Sequence, residues 1–295
     1  MKKRIIIYIV ICQLTLVSII VIQAYKKKAS VNVSVTMINK SNLSFNGSDL
    51  LKDFYEPRPG VENFLGAGKI NKDTLRDRFD YSIEKTNIYR IIALGDSWTY
   101  GIWTPLEEIW PERLEEYLKE KCQNSKFEVI NLGVGGYDTR YEVERFNKRG
   151  KKYNPDLVIV FITDMKRILE KMELSVYGGQ TAGEFLEARQ KVIEELGIDE
   201  VYNYQIEALK LLDEYYDGKI LFLSDEGRLI NRDEKKILED FVAKSTNKYF
   251  YDLNNSPLNI SGAMIKDNGH PNGYGHDLIA KEVFGYLTSQ IVSCY

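Results

Sequence analysis

Histidine is the scarcest chemically useful residue in this chain of 295: there are two, His270 and His276. Any imidazole chemistry therefore falls in one short segment near the C-terminus. Cysteine is almost as scarce. Cys12, Cys122 and Cys294 form neither a CxxC nor a Cys/His pattern of the kind that binds zinc. A Cys122–Cys294 disulfide is conceivable outside the cytoplasm, but spacing alone does not establish it. Excess positive charge is missing too, with 40 Lys and Arg against 43 Asp and Glu, a net charge of −3. That balance offers no basic face for nucleic acid, which is set aside as a partner. The chain has no GxxxxGK[ST] phosphate loop, its "GVGG" is too short for a dinucleotide fingerprint, and no internal repeat is visible.

What is present begins with one long apolar run. Three basic residues precede about 21 mainly apolar residues from Ile5 to Tyr25, and Lys26 to Lys28 follow. This core exceeds the roughly 7–15 residues of a signal-peptide core and matches the ~20 that cross a bilayer as a helix. Residues 1–28 are therefore read as an N-terminal transmembrane anchor, with a cleaved signal peptide as the rival. The N-terminus is placed in the cytoplasm and the remainder outside it, as a single-pass membrane protein, or a secreted one if cleavage occurs. Residues 29–86 are polar and without sustained period, and read as a stalk followed by an extended segment that packs along the next domain.

From residue 87 to 295 the pattern changes. "YRIIALG", "FEVINLG", "PDLVIVFIT", "KILFLS" and "KYFYDLN" are short, continuous apolar runs of the kind that form strands covered on both faces. Amphipathic stretches alternate with them: "PERLEEYLKEKC", "RYEVERFNKRGKKY", "TAGEFLEARQKVIEELG", "DEVYNYQIEALKLLDEYYDG", "RDEKKILEDFVAKS", and a last helix from about Gly273 to Val292. This alternation predicts a three-layer α/β/α domain around a parallel sheet.

In such sheets ligands gather beyond the carboxyl ends of the strands. The first strand ends in "LGDSWTYG", where Gly95 permits a sharp exit that projects Ser97, with the Ser97 amide facing the place of a developing oxyanion. Another ends in "NLGVGGYDT", whose glycines allow close backbone approach. The third segment is "DNGHPNGYGHDLIA". Asp267 and His270 can meet across one tight turn, so that the carboxylate holds Nδ1–H and leaves Nε2 to accept a hydroxyl proton. Pro271 keeps His270 out of the helix, and Asn272 is placed to cap it. His276 falls within the helix, at its flank. Trp98, Tyr100, Trp103, Trp110 and Tyr137 are aromatics that could stack on a sugar ring, Trp98 and Tyr100 standing nearest the serine.

Together these blocks resemble the SGNH hydrolase superfamily, the GDSL esterases and lipases. Gly95-Asp96-Ser97 matches the first block, Gly136 the second-block glycine and Asp267-x-x-His270 the last, over about Tyr89 to Leu287. "EPRPG" through "RIIALGDSWTYG", with "GGYDTRYEVERFNKRGKKYNPDLVIV", resembles membrane-anchored or secreted bacterial and archaeal members. The resemblance implies a flavodoxin-like sheet of five parallel strands and a catalytic triad of nucleophile Ser97, base His270 and orienting Asp267. It implies an oxyanion hole and no metal or other cofactor.

The third block departs from Gly-x-Asn-Asp: in "VFITDMKR" Thr163 stands where the oxyanion-donating Asn is expected, unless the alignment slips. The implied oxyanion donors are Ser97, Gly136 and Thr163, with Asp96, Trp98 and Tyr100 expected to line the substrate. The expected activity is removal of O-acyl groups, acetyl or another short acyl, from a small-molecule, carbohydrate or lipid substrate outside the cytoplasm. An O-acyltransferase with the same triad, or a weakly active anchored polysaccharide-binding or assembly protein, is the alternative.

Overall fold

A computed structural model of the chain describes residues 54–60, 70–122, 126–162, 194, 197–225, 232–266 and 269–294. Among them, five strands form one parallel sheet: β1 (Ile88–Leu94), β2 (Lys126–Asn131), β3 (Leu157–Phe161), β4 (Lys219–Ser224) and β5 (Lys248–Asp252). All five are the apolar runs expected from the sequence, and their spatial order is β2-β1-β3-β4-β5. This is the doubly wound order of flavodoxin-like sheets, in which the sequence of strand addition reverses between β1 and β3. The reversal opens a crevice beyond the ends of those two strands, and the residues after β1 lie there.

Among the described residues the helices are α1 (Ser97–Tyr100), α2 (Trp110–Lys121), α3 (Thr139–Arg145), α4 (Ile198–Tyr215), α5 (Arg232–Val242) and α6 (Gly273–Gln290). Strand side chains alternate between two cores, as a period of two requires. Ile92, Leu94, Val158 and Val160 meet Val143 of α3, Leu209 of α4 and Leu238 of α5 on one face. Ile91, Ala93, Ile159 and Phe161 meet Leu114 of α2 and Ile279, Val283 and Leu287 of α6 on the other. The sheet is thus covered on both sides. That explains why its strands read as continuous apolar runs rather than alternating ones.

One expectation is modified. "RYEVERFNKRGKKY" is one amphipathic stretch in sequence, yet α3 stops at Arg145. The chain continues as a π turn, Phe146–Gly150, and a 3-10 turn, Lys151–Tyr153. Asn154 ends the run in the left-handed conformation before Pro155, which disfavours helix in the residue preceding it. The polar segment before β1, where described, is buried in part: Leu75, Arg76, Asp77 and Tyr81 are all within the structure. Arg76 explains much of this, because its guanidinium donates to the carbonyls of Tyr100, Gly101 (2.9 Å) and Thr104.

Among the described residues no helix is long and apolar enough to cross a membrane. The apolar run Ile5–Tyr25 lies outside the described residues, as do the stretch "TAGEFLEARQ", Asp267 and Thr163.

Cys122, at the end of α2, and Cys294, just past α6, are joined as a disulfide with Cα atoms 4.5 Å apart. It closes a loop with a sequence separation of 172, so its main effect is to restrict the unfolded chain. Replacing both cysteines with serine is expected to lower the unfolding free energy in urea by roughly 2–5 kcal/mol. An unchanged denaturation midpoint would show that the bridge contributes nothing.

Candidate active site

The site begins at Gly95. A Cβ there would sit 2.1 Å from Thr99 Oγ1 and 3.3 Å from Phe161 Cβ, so only glycine lets the chain turn this tightly out of β1. Asp96 follows as the cap of α1, its carboxylate accepting from Trp98 N–H at 2.9 Å. Ser97 is the first residue of that short helix, where the backbone N–H has no intrahelical partner. Its amide has no acceptor among the described residues.

Across the crevice, His270 Nε2 lies 2.9 Å from Ser97 Oγ, although 173 positions separate the two residues in the chain. That is hydrogen-bond distance between a hydroxyl and an imidazole nitrogen. The loop carrying His270 has almost no regular structure, yet three consecutive carbonyls in it are held. Gly269 O accepts from Trp98 Nε1 at 3.2 Å, His270 O from Ile265 N–H at 2.8 Å, and Pro271 O from Thr104 Oγ1 at 3.1 Å. Two of the three donors come from the segment that carries Ser97. Asn272 then caps α6, as expected, accepting from Gly275 N–H at 3.1 Å.

The loop after β2 supplies the third side. Val134 N–H donates to Gly95 O at 3.1 Å, which brings the following glycines against α1. A Cβ on Gly135 would be 4.0 Å from Ser97 Cβ. Gly136 adopts φ +79°, and its amide also has no acceptor among the described residues. Two uncommitted N–H groups, those of Ser97 and Gly136, thus belong to the backbone flanking the serine. Asp267 and Thr163 lie outside the described residues.

The expected substrate contacts are placed differently. Asp96 is fully buried as a cap. Trp98 is 3% exposed, edge-on to Phe161 at 6.1 Å, and supports the His270 loop instead of facing outward. Tyr100 is half-buried beneath the Arg76 guanidinium, which lies 5.3 Å from the ring centroid. Trp110 and Tyr137 are wholly buried. The aromatic that meets solvent here is Trp103, 38% exposed and edge-on to His270 at 4.8 Å. In sequence Trp98 and Trp103 look alike. The difference arises because Trp98 lies on the buried face of α1, whereas Trp103 falls in the loop beyond it.

His276 has no part in the Ser97 contact. It is buried on α6, and its Nδ1 accepts the N–H of Trp110 at 3.3 Å. It thereby serves an end of α2 that has no side-chain cap of its own. Burial, reinforced by the charges of Arg76 and His270, pushes its pKa down to about 3. Arg76 is itself lowered by burial to about 10, and remains a cation at neutral pH. Among the described residues no group of three or more His, Cys, Asp or Glu side chains comes together as a metal site.

No protein-family model matches the chain. The uncharacterized protein YpmR of Bacillus subtilis (strain 168) is 27% identical over 208 residues, which cover 66% of this chain and 79% of that protein. Three solved structures are similar at lower identity. The psychrotrophic esterase EstA from Pseudoalteromonas sp. is 16% identical, with 69% of this chain and 98% of that one covered and a TM-score of 0.46. The acetyl xylan esterase AlAXEase is 21% identical, with 67% and 99% covered and a TM-score of 0.41. A two-domain esterase, CEX, active on acetylated mannans, is 18% identical, with 70% and 50% covered and a TM-score of 0.44. The chain spans about half the length of that last protein.

The folded state favours neutral His276, whose pKa near 3 lies below the ordinary value of 6.5. The unfolded chain therefore binds the extra proton between those values. The contribution is complete above pH 6.5 and is lost as pH falls toward 3. His276→Asn offers Trp110 an amide oxygen in place of Nδ1 and does not titrate. Its stability is expected to fall less steeply than wild type across pH 6.5 to 3, by up to about 1.4 kcal/mol per pH unit. Parallel curves for the two proteins would rule this out.

Proposed function

We propose that the protein is a serine esterase of the SGNH, or GDSL, type, removing short O-acyl groups from a carbohydrate or lipid outside the cytoplasm. The observation that carries this reading is the 2.9 Å contact between Ser97 Oγ and His270 Nε2 at the carboxyl end of β1. A hydroxyl is a weak nucleophile until an adjacent base takes its proton, and this pairing supplies that base.

In the first step Ser97 Oγ attacks the ester carbonyl while its proton passes to His270 Nε2. The carbonyl oxygen becomes an anion and is stabilised by the two uncommitted amides, Ser97 N–H and Gly136 N–H. Collapse of this intermediate breaks the ester C–O bond. His270 then returns the proton to the departing alcohol, leaving an acyl-serine. Water, deprotonated by His270, repeats the sequence and frees the acid. Asp267, three residues before His270, is assigned the orienting role on Nδ1, and Thr163 a third contact to the oxyanion. No cofactor enters these steps.

Trp103 is the proposed substrate platform in place of Trp98. An exposed indole beside the base provides a flat apolar face for a sugar ring or acyl chain. The apolar run Ile5–Tyr25 is proposed as the tether that holds the domain outside the cytoplasm. The Cys122–Cys294 disulfide supports that side of the membrane, because such bonds persist in oxidising compartments.

A fluorophosphonate probe and a p-nitrophenyl acetate assay test the proposal. Wild type is expected to be labelled and active. Ser97→Ala should lose labelling entirely, and both Ser97→Ala and His270→Ala should lose about 10⁴-fold or more in kcat. His276→Asn should retain both properties. Supplying a sugar acceptor and finding acyl-sugar instead of free acid would reassign the protein as an acyltransferase. A wild-type protein that is neither labelled nor hydrolytic would end the enzyme reading in favour of glycan binding.

A further inference from the structure

The turn after β2 is held from outside the sheet. Tyr137 N–H donates to Val134 O at 3.2 Å and closes a four-residue turn whose third residue, Gly136, has φ +79° while Gly135 stays on the negative side. This is the type II arrangement, which differs from type I by a flip of the central peptide. That peptide consists of Gly135 C=O and Gly136 N–H. Because it is planar and trans, the two groups point in opposed directions, so fixing one fixes the other. With glycine at both central positions, side-chain sterics select neither flip.

Selection comes from Tyr55. Its hydroxyl donates to Gly135 O at 3.0 Å. A Cβ on Gly136 would meet that hydroxyl at 3.1 Å, whereas one on Gly135 would come within 4.0 Å of Ser97 Cβ. Tyr55 is itself well anchored. Tyr137 Oη donates to its carbonyl, and its ring lies edge-on to that of Tyr137 at 5.1 Å. The next residue, Glu56, receives Arg149 at 2.8 and 2.6 Å and is also bound by Arg145.

We infer that Tyr55 is a positioning residue of the active site, holding the Gly135–Gly136 peptide in the orientation that presents Gly136 N–H to the oxyanion. The strap Phe54–Glu56, more than thirty residues before β1, thereby becomes part of the catalytic apparatus. In the opposite flip Gly135 C=O would face the position where negative charge develops, and repel it. This inference rests on the esterase reading above.

Tyr55→Phe tests it, because the ring and its packing remain while the hydrogen bond is lost. On p-nitrophenyl acetate the expected result is a fall in kcat of about 5–10-fold with KM unchanged, the scale of one hydrogen bond acting on the transition state. The fluorophosphonate labelling rate should fall in parallel, with the thermal midpoint unaltered. Glu56→Gln, which weakens the strap's anchorage, should shift kcat in the same direction by a smaller factor. If wild type is active and Tyr55→Phe matches it in kcat, the inference is overturned and the esterase reading stands. A rise in KM alone, or a loss of activity that tracks a lowered thermal midpoint, also overturns it. A wild-type protein that neither hydrolyses nor labels removes both.

Discussion

A hydroxyl and an imidazole can exchange a proton only while they remain within about 3 Å, and misplacement by an ångström costs on the order of 10²-fold in rate. In this molecule the two groups belong to segments at opposite ends of the domain's sequence. Ser97 opens a helix of a single turn and His270 lies in a loop, so neither segment has much regular structure with which to hold its place. The solution is mutual bracing. Trp98 Nε1 and Thr104 Oγ1, from the serine's own segment, hold the carbonyls on either side of His270, so that the two segments are tied to each other directly. Arg76 extends the bracing inward by holding three carbonyls between Tyr100 and Thr104.

That bracing depends on buried charge. Arg76, Asp77 and Glu112 are all almost completely removed from solvent. Burial pushes the carboxyls up, Glu112 to about 7 and Asp77 in the same direction, and it pulls Arg76 down. Such groups add little net stability compared with apolar packing, because desolvation offsets most of what pairing returns. What they contribute here is direction. A guanidinium with a fixed fork of donors places three backbone carbonyls relative to one another, which a leucine of similar volume cannot do.

Much of this fold was legible in the sequence because its sheet is covered on both faces, so that each strand announces itself as an unbroken apolar run. His270 was legible for a different reason: with two histidines in the chain, a D-x-x-H-P loop just before a helix leaves little choice. Asn272 as the helix cap followed from local chemistry alone. The contributions of Tyr55, Glu56 and Arg76 were not legible, since their partners lie from 24 to 93 positions away and no period or spacing encodes such contacts. The pairing of Cys122 with Cys294 had the same character. Trp98 and Trp103 show the limit within a single loop, because composition identifies an aromatic near the serine but not which way it faces. The assigned roles of Asp267 and Thr163 and the membrane anchor rest on sequence alone.

The disulfide divides the molecule in a way the sheet does not. Everything from Cys122 to Cys294 is one covalent ring containing β2 to β5 and His270, whereas β1 and Ser97 belong to the open arm that precedes it. Ser97 and His270 therefore sit on opposite sides of a topological boundary. A partial opening that released β1 from its neighbours would part Ser97 from His270 while leaving the ring closed, and a cut at any one point inside the ring would leave both pieces tethered. Loss of the Ser97–His270 contact and loss of covalent integrity are thus separable events in this chain.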